Sequence, residues 1–479
     1  MPTPSVDPGA QQRTDEPESK SNLDSTVTDR RWHRWMSEKD RALLIATLWL
    51  SPVPVVGALI AVLTVGLFIT PDGGGYLKMG QVIQEGHLIE SWDFSREPGL
   101  PFLIRVTALS YLGVPSYLAA SGFMAGLAVT FAGGCFFDLG RHWQRLVAGL
   151  VAVSASVYIS YAGYLMQQTG FALFLALLGW NIRLIQTADG VRPVRLLGLG
   201  LVGTLGLYYG SVMRPIVALA LLIGAVIVLR RLGRLGRRRR AVALAALLGA
   251  IVIPVAVYGP WHWMKAQDDR GAATAGLAGI ALPGGYDKVT YVRDRIGTTL
   301  LLLQLRGAAS VTMVGGYAGT PSEDLLWAGR RSAWPDGDAP CGISDVEPGL
   351  KARIPSILGF REYCTPMDGS WYLATTAQPS YLLGGATSLV MVAGTIWAFF
   401  RRRDLVPVLL LPWAWVGMYS FTAPIDRYGI PIWPYKIMFA TLVLFSFGGW
   451  LVAKVRERRS AGTAIGESGV DPVAPAEVP

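Results

Sequence analysis

The chain has 479 residues, of which 52% are hydrophobic and only 16% charged, and its mean hydropathy is +0.39. A soluble domain carries about a quarter charged residues, so the composition argues against a large soluble protein. Long apolar runs with charges gathered between them are the pattern of a polytopic membrane protein. The formal charge of +10 would suit a nucleic-acid binder. The arginines, however, stand at the ends of apolar runs, as in "RRLGRLGRRRR" (230–240) and "RRRD" (401–404). They report orientation rather than a partner.

Residues 1–40 are polar, rich in Pro, Ser, Asp and Arg, and lack a cleavable signal peptide. They are expected to form a disordered cytoplasmic tail, as are residues 460–479. Apolar runs of spanning length follow at 43–69, 116–137, 146–164, 167–185, 241–258, 380–400, 405–421 and 433–453. The stretch 196–229 is too long for one span at about 20 residues each. It breaks at "GSVMRP" (210–215), so two helices are expected there. Placing every basic cluster on the cytoplasmic side gives an all-α plasma-membrane protein of about ten spans, with nine to twelve allowed. Both termini are then cytoplasmic.

The same count defines an N-terminal transmembrane module (41–258) with a first outer loop at 70–115. A large outer loop follows at 259–379, then C-terminal helices at 380–459. The short segment 100–113 carries Arg105 and has both ends outside, so it reads as interfacial or re-entrant.

The first outer loop begins "TPDGGGYLKM" (70–79). Pro71 and the glycines at 73–75 are expected to break the helix as it leaves the bilayer. Tyr76, Met79, Val82 and Ile83 then recur at helical spacing, which predicts a short amphipathic helix on the membrane surface. Asp72 near its start has two open readings. One is a helix cap worth about 1 kcal/mol; the other is a carboxylate placed for chemistry. Further on, Arg96 and Glu97 precede Pro98 and Pro101. Arg96 suits a lipid phosphate, or it snorkels to the interface. Arg214, between two apolar runs, has the same two readings. A short connection between the last two spans carries Asp426, Arg427, Tyr428 and Lys436 at the same depth.

Cys341 and Cys364 both fall in the large outer loop, where a disulfide between them is expected. Cys135 reads as a packing residue. His87 and His262 are too isolated for a metal site. No cofactor is assigned; the acids of "QDDRG" (267–271) leave a divalent cation open. No P-loop, dinucleotide fingerprint or HExxH motif is present, and an outward-facing site speaks against a nucleotide-sugar donor.

In order along the chain stand "PDGGGY" (71–76) with "EGHL" (85–88), "REPGLPFLI" (96–104), "GLYYGSVMRP" (206–215) and "RYGIPIWP" (427–434). This series resembles the GT-C class of membrane glycosyltransferases. The likeness is to the branch that includes aminoarabinose–lipid A transferase and the protein O-mannosyltransferases. The family often follows its first acid with a second, and here glycine follows.

The resemblance implies transfer of a sugar from a polyprenyl-phosphate donor to an acceptor hydroxyl on a lipid, cell-wall glycan or protein, with inversion. It implies Asp72 as general base, with Arg96, Arg427, Lys78 and Arg214 holding the donor phosphate. Tyr76, Glu97 and Tyr428 would line the substrate pocket. Such a reaction needs one base and positive charge for the leaving phosphate, not the carboxylate pair of a glycosidase. Two other classes stay open. One is a transporter or flippase for a lipid-linked glycan, although no internal repeat is seen. The other is a glycan polymerase or ligase with a lipid-pyrophosphate donor.

Overall fold

Helix ends in this protein follow its prolines and glycines. The structure is a computed structural model and describes residues 38–64, 71–86, 92, 96–111, 113–136, 165, 167–188, 191–267, 371–422 and 426–467. Among these residues every regular element is helical. Helices α1 (Glu38–Trp49) and α2 (Pro52–Thr64) share one apolar run. Pro52 and Pro54 have no N–H to donate. The chain turns between the two helices through Leu50 and Ser51, whose N–H groups bond Thr47 and Leu48 at 3.1 Å. Next come α3 (Pro71–Glu85), α4 (Gly99–Val106), α5 (Gly113–Phe136), α6 (Gln168–Thr187) and α7 (Pro193–Tyr209). A 3-10 turn (Ser211–Met213) leads into α8 (Arg214–Leu232) and α9 (Arg237–Gln267). The C-terminal part holds α10 (Trp371–Arg401), α11 (Val406–Thr422), a 3-10 segment (Asp426–Ile432) and α12 (Trp433–Glu467).

Helices α5 and α6 pack on each other and form the centre. Helix α5 carries α2 and α12, while α6 carries α7, α8, α11 and the second 3-10 segment; α9 packs on α7 and α10 on α12. Small residues let these backbones approach. A Cβ added to Gly122 would meet the Gly57 carbonyl oxygen at 2.5 Å, and one on Gly200 would meet that of Ala250 at 2.5 Å. Such close approach favours association where lipid tails compete equally for apolar side chains.

The outer surface is itself apolar. Leu59 and Leu63 on α2, Leu201 on α7, Leu222 and Leu229 on α8, Leu248 and Val255 on α9, Ile396 on α10 and Leu444 on α12 are all exposed. Stripes of this kind are foreign to a water-facing surface and natural to a lipid-facing one. Among the described residues, six helical segments are long and apolar enough to cross a membrane: Leu43–Leu63, Gly113–Phe136, Gln168–Thr187, Ser211–Leu232, Arg237–Gln267 and Gly429–Arg458. Two shorter apolar helices, Ala386–Arg401 and Val406–Tyr419, accompany them. The run at 146–164, expected to span, lies outside the described residues. Helix α4 has eight residues, about 12 Å of length, so it is too short to cross. The stretch 196–229 does divide at Gly210, where a Cβ would collide with the Phe171 ring and where Pro215 starts a new helix.

The helix ends sort into two poles. At one pole arginines cap carbonyls and pair with an acid. Arg231 donates to the carbonyls of Ile185, Gln186 and Ala188 at 2.5–3.0 Å. Arg195 donates to that of Leu184. Arg183 pairs with Asp404 at 2.8 Å. The other pole gathers α3, α4, the start of α6, the α7–α8 break and the end of α9. Gln167 there donates to the Tyr209 carbonyl at 2.6 Å. A Cβ on Gly99 would lie 2.7 Å from Tyr209 Cα, so α4 seats directly on the end of α7.

Candidate functional site

The second pole begins with α3. Pro71 stands in its first turn, where a missing N–H costs nothing. Asp72 is therefore inside the first turn, where the helix dipole favours a carboxylate. The glycines at 73–75 do not end a helix, as the sequence suggested; they lie within α3. Their use is lateral. A Cβ on Gly75 would lie 3.3 Å from Arg96 Nη2 and 3.4 Å from its Nε. The Arg96 guanidinium thus rests on the α3 backbone, 4.8 Å from the centre of the Tyr76 ring. That is cation–π range. Trp92 fixes the approach by donating to the Arg96 carbonyl at 3.0 Å.

The apolar face of α3 is the predicted one, since Tyr76, Met79 and Val82 are buried. It does not lie bare on lipid, however. Met79 and Val82 cluster with Trp92, Trp261 and Met264, and Trp92 meets Trp261 edge-on at 5.5 Å. The end of α9 covers the face that was expected to touch the membrane.

Glu97 follows Arg96 and is only 3% exposed. Its Oε1 accepts a bond from Lys265 Nζ at 2.5 Å, and Lys265 is fully buried. Lys265 also reaches Ser211 Oγ at 3.4 Å. The Tyr258 hydroxyl accepts from Arg214 Nη2 at 3.3 Å. Arg214 opens α8, with its guanidinium 5.8 Å from the Tyr258 ring centre. His262 lies parallel to Tyr258 at 6.1 Å. Tyr258, His262 and Lys265 thus form one polar stripe at helical spacing on α9.

The structure therefore joins Tyr76, Arg96, Glu97 and Arg214 in one continuous cluster. Lys78 does not join it: the residue is exposed on α3. Arg427 and Tyr428 belong to the 3-10 segment that packs on α6, and their side chains are outside the described set, as is that of Asp72. Cys341, Cys364 and the acids at 268–269 also lie outside the described residues. Cys135 is buried, with its thiol donating to the Phe131 carbonyl at 3.2 Å, which is the packing role expected.

Lys265, Tyr258 and Ser211 were not singled out from sequence. The available signal for Lys265 was its register, since it follows His262 by three residues and Tyr258 by seven at the end of an apolar helix.

No family model matches this chain, and no curated protein matches it in sequence. One solved structure aligns with it, the archaeal oligosaccharyltransferase AglB from Archaeoglobus fulgidus in complex with an inhibitory peptide and a dolichol-phosphate. The identity is 13%, over 93% of this chain and 53% of that one, with a TM-score of 0.39. The chain spans about half the length of that structure, and a likeness this slight carries no argument about fold or activity.

Proposed function

We propose that this protein is a membrane glycosyltransferase that moves a sugar from a polyprenyl-phosphate donor to an acceptor hydroxyl. The observation that carries the reading is the seating of Arg96 on the glycine face of the helix whose first turn bears Asp72. A cation suited to the donor phosphate then rests on the helix that carries the proposed base, at one pole of an apolar bundle. Arg214 joins them through α9, whose Tyr258 it meets and whose Lys265 holds Glu97.

The acceptor hydroxyl attacks the anomeric carbon and gives its proton to the Asp72 carboxylate. The bond from that carbon to the phosphate oxygen breaks, and its electron pair leaves on the polyprenyl phosphate. Arg96 and Arg214, with Arg427 from the last outer connection, stabilise the phosphate as it departs. Attack from the face opposite the lipid inverts the anomeric centre. This pole faces outward, away from the cytoplasmic arginines.

The test is Asp72→Asn in the full chain with a purified polyprenyl-phosphate sugar. Loss of a general base lowers turnover by about 10²–10⁴-fold, while thermal unfolding stays as in the parent. Persistent turnover removes Asp72 from the role of base. A parent protein that consumes no polyprenyl-phosphate sugar, yet moves it across a bilayer, is a transporter instead.

A further inference from the structure

One contact ties together three stretches far apart in sequence. Glu97 lies in the first outer segment, Ser211 and Arg214 at the α7–α8 break, and Tyr258 and Lys265 on the last turns of α9. The Glu97 carboxylate receives Lys265 at 2.5 Å, a residue of the same helix as Tyr258. Tyr258 in turn accepts from Arg214, and Lys265 reaches Ser211. Burying an ion pair is expensive, and well-packed apolar residues of similar volume commonly hold helices together as well or better. A charged pair with 0% and 5% side-chain exposure is therefore a poor choice for adhesion alone. What it offers is direction, because each bond has a fixed donor, acceptor and length.

We infer that the Glu97–Lys265 pair, with Tyr258 on the same helix as Lys265, is a positioning device that sets the spacing between Arg96 and Arg214. Arg96 is bonded in sequence to Glu97, so its backbone moves with that carboxylate. Arg214 is held by Tyr258, on the same helix as the lysine that holds the carboxylate. Lys265 anchors the carboxylate to α9 and, through Ser211, to the turn that starts α8. The end of α9 thereby fixes the two cations that the proposed function assigns to the donor phosphate. The inference rests on that reading for its purpose and on the geometry alone for its mechanics.

The experiment replaces the pair with apolar residues of similar size, Glu97→Leu with Lys265→Met, in the full-length protein. Thermal unfolding is expected at or above the parent's temperature. Binding of polyprenyl monophosphate, carried without sugar in lipid nanodiscs, is expected to weaken at least tenfold. In the parent, Arg96→Ala and Arg214→Ala lose affinity non-additively; in the double variant their losses become additive. Glu97→Gln keeps an acceptor for Lys265 and falls between parent and double variant. Unchanged affinity in a folded double variant overturns the inference.

A second readout needs no ligand. Amide exchange should rise together in residues 96–104 and 207–217, while α5 and α6 keep their protection. Unchanged exchange in both segments means the pair positions nothing. Should the parent bind no polyprenyl monophosphate, the glycosyl-carrier reading falls, and exchange alone decides the role of the pair.

Discussion

A guanidinium and a helix backbone can touch only where no Cβ stands between them, and residue 75 is that point. The contacts of 3.3 and 3.4 Å that a Cβ would make with Arg96 are tight but fall on the end of a flexible side chain. Gly75→Ala should therefore be tolerated. Alanine also raises helix propensity by up to about 1 kcal/mol over glycine, so unfolding temperature holds or rises. Gly75→Leu fills the seat itself and drives Arg96 off Tyr76. Losing a charge-assisted bond of about 1.5–3 kcal/mol raises the donor KM roughly 10–100-fold at a nearly unchanged melting temperature. Equal KM values for the two variants would take Arg96 out of the donor site. Sequence reading grouped Tyr76 with Arg96 because both stand in the one segment 70–115. It missed Lys265 because its partner is 168 positions away, and no local pattern records a contact of that range.

Among the elements, those bounded by proline were legible. The α7–α8 break sits where Gly210 and Pro215 put it, and the short α4 follows from Pro98 and Pro101. The glycine run at 73–75 was misread as a stop because glycine's backbone freedom is the same whether it ends a helix or thins one for a neighbour. Only the position of Arg96 distinguishes the two.

The turn between α10 and α11 makes a second element-scale point. Burial raises the Asp404 carboxyl, but its bonds with Arg402 and the charge of Arg183 outweigh this and hold it below its ordinary 3.8. A lowered folded pKa means stability that is present above 3.8 and is lost as pH falls through the folded value. Asp404 is 42% exposed, so the effect is that of a partly screened pair. Asp404→Asn should lower the melting temperature by about 1–3 °C at pH 7. The gap to the parent should narrow below pH 4 and close as the parent's carboxylate is protonated. A gap that is constant down to pH 3 would mean that the carboxylate's charge contributes nothing at this turn.

For the whole molecule, the decisive feature is that charge and aromatic polarity are divided between opposite ends of the same helices. Helix α9 has 31 residues, about 46 Å of length against a hydrocarbon layer of about 30 Å. It begins with exposed arginines, crosses an apolar stretch with Val242, Leu248 and Val255 outward, and ends in the Tyr258–Lys265 cluster. The arrangement makes sidedness measurable with two single cysteines on flanking exposed residues. These are Arg234→Cys before α9 and Gln267→Cys at its end, in a chain whose three native cysteines are replaced by serine or alanine. A membrane-impermeant maleimide added to intact cells should label position 267 and spare 234, with both labelled after permeabilisation. Labelling of both positions before permeabilisation would contradict the bundle, because one helix cannot place both ends on one side of the layer it crosses. The reverse pattern would keep the bundle and turn the site pole to the cytoplasm. Arg96 and Arg214 would then face the compartment that holds nucleotide-linked sugars, and the choice of a polyprenyl-phosphate donor would lose its main physical argument.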